Sequence, residues 1–149
     1  LRIHSACFTG DIFHSKKCDC GEQLNDSLKY MINNGGGVIL YLDQEGRGIG
    51  LANKMRAYSL QSKGLDTIDA DNNIGFLDDE RDFAVATKIL SLLKIKQVNV
   101  ITNNFSKMAS LKKAGIRVMK QINTKPTINK FNKNYFETRY KKTGYDFKI

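Results

Sequence analysis

The sequence predicts an α/β fold, a layered sandwich with a mixed, largely parallel sheet flanked by helices, on three observations. Strand-like and helix-like hydrophobic patterns alternate along the chain. Strands separated by helices favour parallel pairing. Val38-Ile39-Leu40-Tyr41-Leu42 is a short, nearly continuous apolar run, which predicts a strand buried on both faces. With 149 residues and neither repeats nor low-complexity linkers, the chain reads as one domain able to bury a real core.

The elements follow in order. Residues 1–4 read as a strand that starts without an initiator methionine, so the chain reads as cut from something longer. Residues 21–33 predict a helix with Leu24, Leu28, Met31 and Ile32 on one face, ended by Gly35-Gly36-Gly37. After the strand at 38–42, a helix is predicted over 49–61 and stopped by Gly64. Asp78 or Asp79 opens the next helix, with Phe83, Ala86, Leu90 and Leu93 at helical spacing and acidic residues suited to its N-terminus. A strand at 98–101, a helix at 106–114 capped by Gly115 and a strand at 116–119 come next. From Asn123 the chain turns polar and basic, with a short helix near 135–142.

Composition narrows the function. Hydrophobic residues make up 41% with a single proline, as in an ordinary globular protein. No apolar run approaches the ~18 residues of a membrane span and no signal-peptide pattern opens the chain. The net charge of +9 is skewed: nine basic and thirteen acidic residues up to Asp82, fifteen basic and two acidic after it. Such a skew suits a phosphorylated small molecule, a solvated face or nucleic acid. No nucleic-acid motif or aromatic-interleaved repeat accompanies it, so neither nucleic acid nor membrane is the expected partner.

The three cysteines, Cys7, Cys18 and Cys20, fall within one fourteen-residue stretch. An odd count forbids full internal pairing, and a Cys-x-Cys pair is too close for an easy disulfide. Thiolates are soft ligands that select zinc. Three protein ligands plus a water is the composition of a catalytic zinc site, whereas His4 or His14 as a fourth ligand would make it structural. Buried, unliganded cysteines are the bland reading, but Asp11, Lys16, Lys17 and Asp19 make this a poor setting for core packing. Unpaired thiols suit a reduced, cytoplasmic setting.

Between a strand and a helix lies Asp43-Gln44-Glu45-Gly46-Arg47-Gly48-Ile49-Gly50. Glycines at such a turn let backbone amides approach an anion. The spacing is neither a dinucleotide fingerprint nor a P-loop, and a tight turn with no ligand is an equal reading. Arg47 can grip a phosphate through two parallel hydrogen bonds, and Glu45 can accept from a purine's amino and ring N–H groups. Asp78-Asp79-Glu80-Arg81-Asp82 reads most simply as a helix N-terminus carrying favourable acids. Thr102-Asn103-Asn104 ends a strand, where open α/β sheets place ligand contacts, and Lys107 lies just beyond.

Taken in order, these stretches resemble one family, GTP cyclohydrolase II. The matching segments are Arg2-Ile3-His4-Ser5, Cys7-Phe8-Thr9-Gly10-Asp11, Cys18-Asp19-Cys20-Gly21, Gln44 to Leu51, Asn53-Lys54, Arg56-Ala57-Tyr58, Asp66-Thr67, Gly75-Phe76, Asp79 to Phe83, Thr102-Asn103-Asn104 and Lys107. The resemblance implies one zinc ion on Cys7, Cys18 and Cys20. It implies GTP contacts at Arg2, Ile3, His4, Ser5, Ala6, Gln23, Glu45, Gly46, Arg47, Thr67, Thr102 and Lys107. Asp79 matches the family's proton acceptor, Arg81 the residue proposed to attack the α-phosphorus, and Tyr58 the tyrosine linked to opening the imidazole ring. Magnesium accompanying the triphosphate, a homodimer, and release of formate and pyrophosphate at the first step of riboflavin synthesis are implied as well.

Two departures stand out. Ala6 replaces a usual glutamate, and beyond Gly115 the match thins to Asn134-Tyr135 and Thr138. The family domain normally begins earlier, so residues 1–149 read as a GTP cyclohydrolase II domain without its N-terminal strands. Such a domain also occurs as one half of a bifunctional protein with dihydroxybutanone phosphate synthase. The competing readings are a diverged cyclohydrolase that stops at a formamide product and, from another class, a zinc-stabilised basic module that binds RNA.

Overall fold

The computed structural model describes residues 1–143. Its ordered elements are β1 (Arg2–Ser5), a π-helical turn (Phe8–Ile12), α1 (Cys20–Asn33), β2 (Ile39–Leu42), a tight turn (Glu45–Gly48), α2 (Gly50–Gln61), α3 (Thr67–Asn73), α4 (Ala84–Leu92), β3 (Gln97–Ile101), α5 (Phe105–Lys113), β4 (Arg117–Ile122) and α6 (Lys133–Thr143). The α/β class read from the sequence holds. The backbone gathers into two compact units: Leu1–His4 with Gln23–Leu42 and Asp82–Lys125, and Ser5–Glu22 with Asp43–Arg81 and the residues from Pro126. Among the described residues no helix is long and apolar enough to cross a membrane.

The first unit holds two ladders of two strands. β1 pairs with β2, and β3 pairs in parallel with β4 from Gln97↔Arg117 to Ile101↔Ile122, with an irregularity between Val98 and Asn99. Leu1 links β1 to β3: its amino group donates to the Asn99 carbonyl at 2.7 Å and its carbonyl accepts from the Ile101 amide at 2.9 Å. Ile3, Leu40, Leu42, Phe83, Ala86, Leu90, Val100, Leu111 and Ile116 form one buried apolar cluster. Ala86 and Leu90 share one face of α4, and Phe83 at its N-cap joins them in that cluster.

Three local expectations are corrected. β2 buries one face only: Leu40 and Leu42 point inward, while Tyr41 is 51% exposed with its ring stacked on His4 at 5.5 Å. On α1 the buried stripe runs through Ser27 and Met31, leaving Leu28 and Ile32 exposed; Ser27 can be buried because its hydroxyl donates to the Gln23 carbonyl at 2.7 Å. Finally, α4 starts at Ala84 rather than at Asp78 or Asp79. The aspartates ahead of it bond to their own backbone and to nearby arginines, which competes with helix formation. Asp82 accepts from the Ala84 amide at 2.8 Å, and Leu93 lies beyond the helix, exposed.

The second unit is built from turns and helices. α3 was not evident in the polar run Thr67 to Asn73; its start is fixed by Asp66, whose carboxylate accepts from the Ile68 amide at 2.9 Å and the Asp69 amide at 3.0 Å.

Burial makes a test of the core. Leu90 is fully buried and Leu92, two residues on, is 71% exposed. Leu90→Ala is expected to cost about 2–5 kcal/mol. Leu92→Ala is expected to stay within about 0.5 kcal/mol. Urea unfolding checks both, with the midpoint moving at unchanged slope.

Candidate metal centre and active site

The chain around the cysteines folds on itself before it meets anything else. Cys7 closes the π-helical turn through its carbonyl, which accepts from the Asp11 amide at 2.7 Å, while the Asp11 carboxylate accepts from the Cys7 amide at 3.0 Å. The Ser15 amide reaches back to the Thr9 carbonyl at 2.9 Å. This loop sets Cys7 against Cys18 and against Cys20 at the start of α1, with all three sulfur atoms within 4.8 Å of one another. Cys7 Sγ and Cys18 Sγ stand 3.7 Å apart, far from disulfide bonding, and all three thiols are free. Gly10 makes the crowding possible: a Cβ there would lie 2.9 Å from Cys18 Sγ and 3.1 Å from Cys7 Sγ. A side chain on Gly21 would collide with the Gly10 carbonyl.

The thiols do not titrate alike. Hydrogen bonds from Cys18 and Cys20, with help from Lys54, pull Cys7 far below the ordinary thiol range despite its burial. Cys20 draws Cys18 down, but the thiolate of Cys7 and burial win and push it up to about 11. Cys20 is raised well above its ordinary value by its neighbours' hydrogen bonds and by burial. Three such groups ionise together only around a cation. Three converging sulfur donors fit a soft divalent ion such as zinc, bound by three protein ligands. No histidine joins the group among the described residues: His4 is buried against Tyr41, in the other unit.

Lys54 completes this cluster. Its Nζ donates to Cys7 Sγ at 3.0 Å, Thr9 Oγ1 at 2.9 Å and Glu45 Oε1 at 2.8 Å. Burial alone would lower its pKa, yet the bond to Glu45 and the neighbouring negative charge hold it above its ordinary value. Glu45, expected to face a purine, accepts here from Lys54 and from the Phe8 and Gly46 amides. Tyr58 sits one helical turn after Lys54, with Lys17 Nζ 4.6 Å and Lys54 Nζ 5.7 Å from its ring centroid. Burial raises its hydroxyl above the ordinary tyrosine value against the opposing charge of Lys54, with the cysteine cluster adding to the rise, so it remains a donor.

The acidic knot is a set of ion pairs. Asp79 accepts from Arg81 Nε at 2.7 Å and Nη2 at 2.6 Å, a bidentate pair, and from the Arg81 amide at 3.2 Å. Burial would raise the Asp79 carboxyl, but the Arg81 bonds and charge hold it below its ordinary value. Arg81 Nη1 donates to Ser5 Oγ at 3.3 Å, and Ser5 in turn donates to Gln44 Oε1 at 3.3 Å. Arg47 has a backbone φ of 58° and donates to the Asp78 carboxylate and carbonyl, with Asp71 Oδ2 at 3.8 Å. Thr67 lines a cavity of about 480 Å³ with Lys17, Gln61, Asp66, Phe131 and Tyr135.

The remaining candidates lie in the first unit. Arg2 is buried, donating to the Ile101 carbonyl at 3.2 Å and to Gln23 Oε1 at 2.7 Å. Lys107 Nζ donates to the Ile3 carbonyl at 2.8 Å, and Thr102 Oγ1 accepts from the Asn104 amide at 3.0 Å. Asn104 caps α5 by accepting from the Lys107 amide at 3.1 Å. The second unit therefore gathers Ser5, the cysteines, Glu45, Gly46, Arg47, Tyr58, Thr67, Asp79 and Arg81, and the first unit Arg2, Ile3, His4, Gln23, Thr102 and Lys107. Ala6 lies half-buried just before Cys7. Sequence reasoning gave Lys54 no role, although its spacing of four from Tyr58 placed both on one face of α2.

A family model described as GTP cyclohydrolase II matches residues 1–123. The GTP cyclohydrolase-2 of Psychromonas ingrahamii is 50% identical over 145 residues, covering 97% of this chain and 72% of that protein. That of Haemophilus influenzae is 50% identical over 144 residues, 97% of this chain and 67% of that protein. That of Vibrio parahaemolyticus is 47% identical over 149 residues, all of this chain and 75% of that protein. At this identity, over nearly the whole chain, the chain belongs to the GTP cyclohydrolase II family of hydrolases.

Proposed function

We propose that this chain hydrolyses GTP in two places. It opens the imidazole ring of guanine and releases C8 as formate, and it cleaves the α–β phosphoanhydride to release pyrophosphate. The product is a diaminopyrimidinone ribosyl phosphate, the first intermediate of riboflavin synthesis. The observation that carries the reading is the convergence of Cys7, Cys18 and Cys20 on one point beside Lys54, Glu45 and Tyr58, in a member of this family. Zinc held by the three thiolates would supply a water acidic enough to act near neutral pH.

The chain's own groups divide the remaining work. Tyr58, kept protonated by burial, donates a hydrogen bond to the attacking water or to the oxygen that gains charge on the ring. Glu45, with Gly46 and Arg47 on the same turn, recognises the base and phosphate. Arg2 to Ala6, Gln23, Thr67, Thr102 and Lys107 are the further GTP contacts. Asp79, kept ionised by Arg81, is the proton acceptor. Guanidinium is a very poor nucleophile, so Arg81 acts as a clamp that holds the α-phosphate while water attacks. Magnesium enters with the triphosphate. The same reading takes the protein as a cytoplasmic homodimer.

The deciding experiment incubates zinc-loaded protein with GTP and magnesium and assays formate and pyrophosphate separately. Equal amounts are expected, and chelation of the zinc should remove formate first. Pyrophosphate without formate would mean the formamide-forming reaction instead. Neither product from folded, zinc-loaded protein would overturn the reading. Arg81→Ala is expected to slow pyrophosphate release about 10²–10³-fold, the usual cost of losing a preorganised charge donor. Release at the wild-type rate would remove Arg81 from the chemistry. Tyr58→Phe is expected to slow formate release by at least about 10²-fold while pyrophosphate continues; product analysis by mass would show the formamide accumulating.

A further inference from the structure

Lys54 is an unusual lysine. A lysine normally buries its stem and leaves its ammonium in water. This one is 8% exposed, and its three N–H donors meet three acceptors of different kinds: the Cys7 sulfur, the Thr9 hydroxyl and the Glu45 carboxylate, at 3.0, 2.9 and 2.8 Å. Every donor is used, so the head group cannot swing. Its acceptors are fixed in turn. Glu45 is pinned by the Phe8 and Gly46 amides, and the Cys7 amide by Asp11.

We propose that Lys54 is a positioning residue of the metal centre: it donates a charge-assisted hydrogen bond to the Cys7 sulfur, draws charge off that ligand and ties it to Glu45 as one rigid piece. The proposal rests on the reading of Cys7, Cys18 and Cys20 as metal ligands and of Glu45 as a guanine contact. Three thiolates around a divalent ion leave an excess negative charge, which in a buried setting is costly unless a cation lies beside it. Lys54 is that cation. A sulfur that shares its lone pair with an ammonium gives less to the metal, and the metal remains the stronger Lewis acid; partners beyond the ligands commonly tune a metal in this way. Glu45 touches the same ammonium, so a base that pulls on Glu45 also alters the hydrogen bond at Cys7.

The test reads the metal rather than turnover. The full chain is loaded with cobalt(II) in place of zinc, and the thiolate-to-cobalt charge-transfer absorption is recorded. Removing the hydrogen bond raises the sulfur lone-pair energy, so Lys54→Met should move the band to lower energy. Zinc affinity, measured by competition with a chromophoric chelator, should fall about 10–100-fold. Glu45→Gln should do the opposite to the band: the ammonium loses its charged competitor and bonds the sulfur more strongly. A merely loosened site would shift both variants the same way, and that result, or an unmoved band in folded Lys54→Met, overturns the proposal. If Lys54→Met does not fold, Glu45→Gln decides by the sign of its shift: a move to higher energy supports the proposal, and no shift or a move to lower energy overturns it. Wild-type protein that takes up neither cobalt nor zinc would overturn the metal-centre reading itself, and this proposal with it.

Discussion

Three sulfur atoms held within 4.8 Å of one another are the constraint around which the second unit is arranged. Their thiolates repel, so without a cation one ionises readily and the others resist. The chain nevertheless enforces the crowding. Gly10 and Gly21 leave out the side chains that would fill the space, and Asp11 locks the loop at Cys7. A bound metal ion, as the proposed function has it, would offset that cost. Lys54 offsets part of what remains, and Glu45 holds Lys54. Lys54 and Tyr58 share a face of α2, so the helix carries both the ammonium and the phenol to the cluster.

The arginines show a second pattern. Arg47 is engaged by Asp78 and Asp71, and Arg81 by Asp79. The turn carrying Arg47 is also fastened to the loop carrying Arg81: the Glu80 amide donates to the Arg47 carbonyl at 3.0 Å, and Gly48 lies where a Cβ would meet Glu80 at 3.1 Å. Asp78 and Asp79 are thus counter-ions that set two guanidinium groups in place, and of these acids it is Asp82 that serves the helix start. The left-handed φ of Arg47, uncommon for a residue with a side chain, is the local strain that aims its guanidinium at them.

What the sequence disclosed and what it withheld follow from separation along the chain. The cysteine cluster was legible because its ligands lie within one short stretch, and the α4 core face because Phe83, Ala86 and Leu90 repeat at the helical period. The bond from Lys54 to Cys7 spans 47 positions and that from Lys107 to Ile3 spans 104, so no periodicity reports either. α3 escaped notice because a polar run with only Asp66 as its cap looks like a loop. Its partner error, the early start given to α4, came from reading Asp78 and Asp79 as caps when their carboxylates hold arginines. In both cases the local signal was an aspartate, and only its partner settles the meaning.

The Asp79–Arg81 pair shows how such partnering bears on chemistry. Burial pushes the Asp79 carboxyl up and the Arg81 hydrogen bonds push it down, and the bonds win. A carboxylate in that state is a weak base, poorly suited to taking a proton. An α-phosphate, however, competes for the same guanidinium, which offers it the same forked geometry. In the proposed reaction, an Arg81 drawn toward the phosphate would release the bonds that hold the Asp79 pKa down while its burial remains, so its basicity would rise. The clamp and the base of the proposed reaction would then be one device: the contact that stabilises charge on phosphorus would ready the proton acceptor beside it.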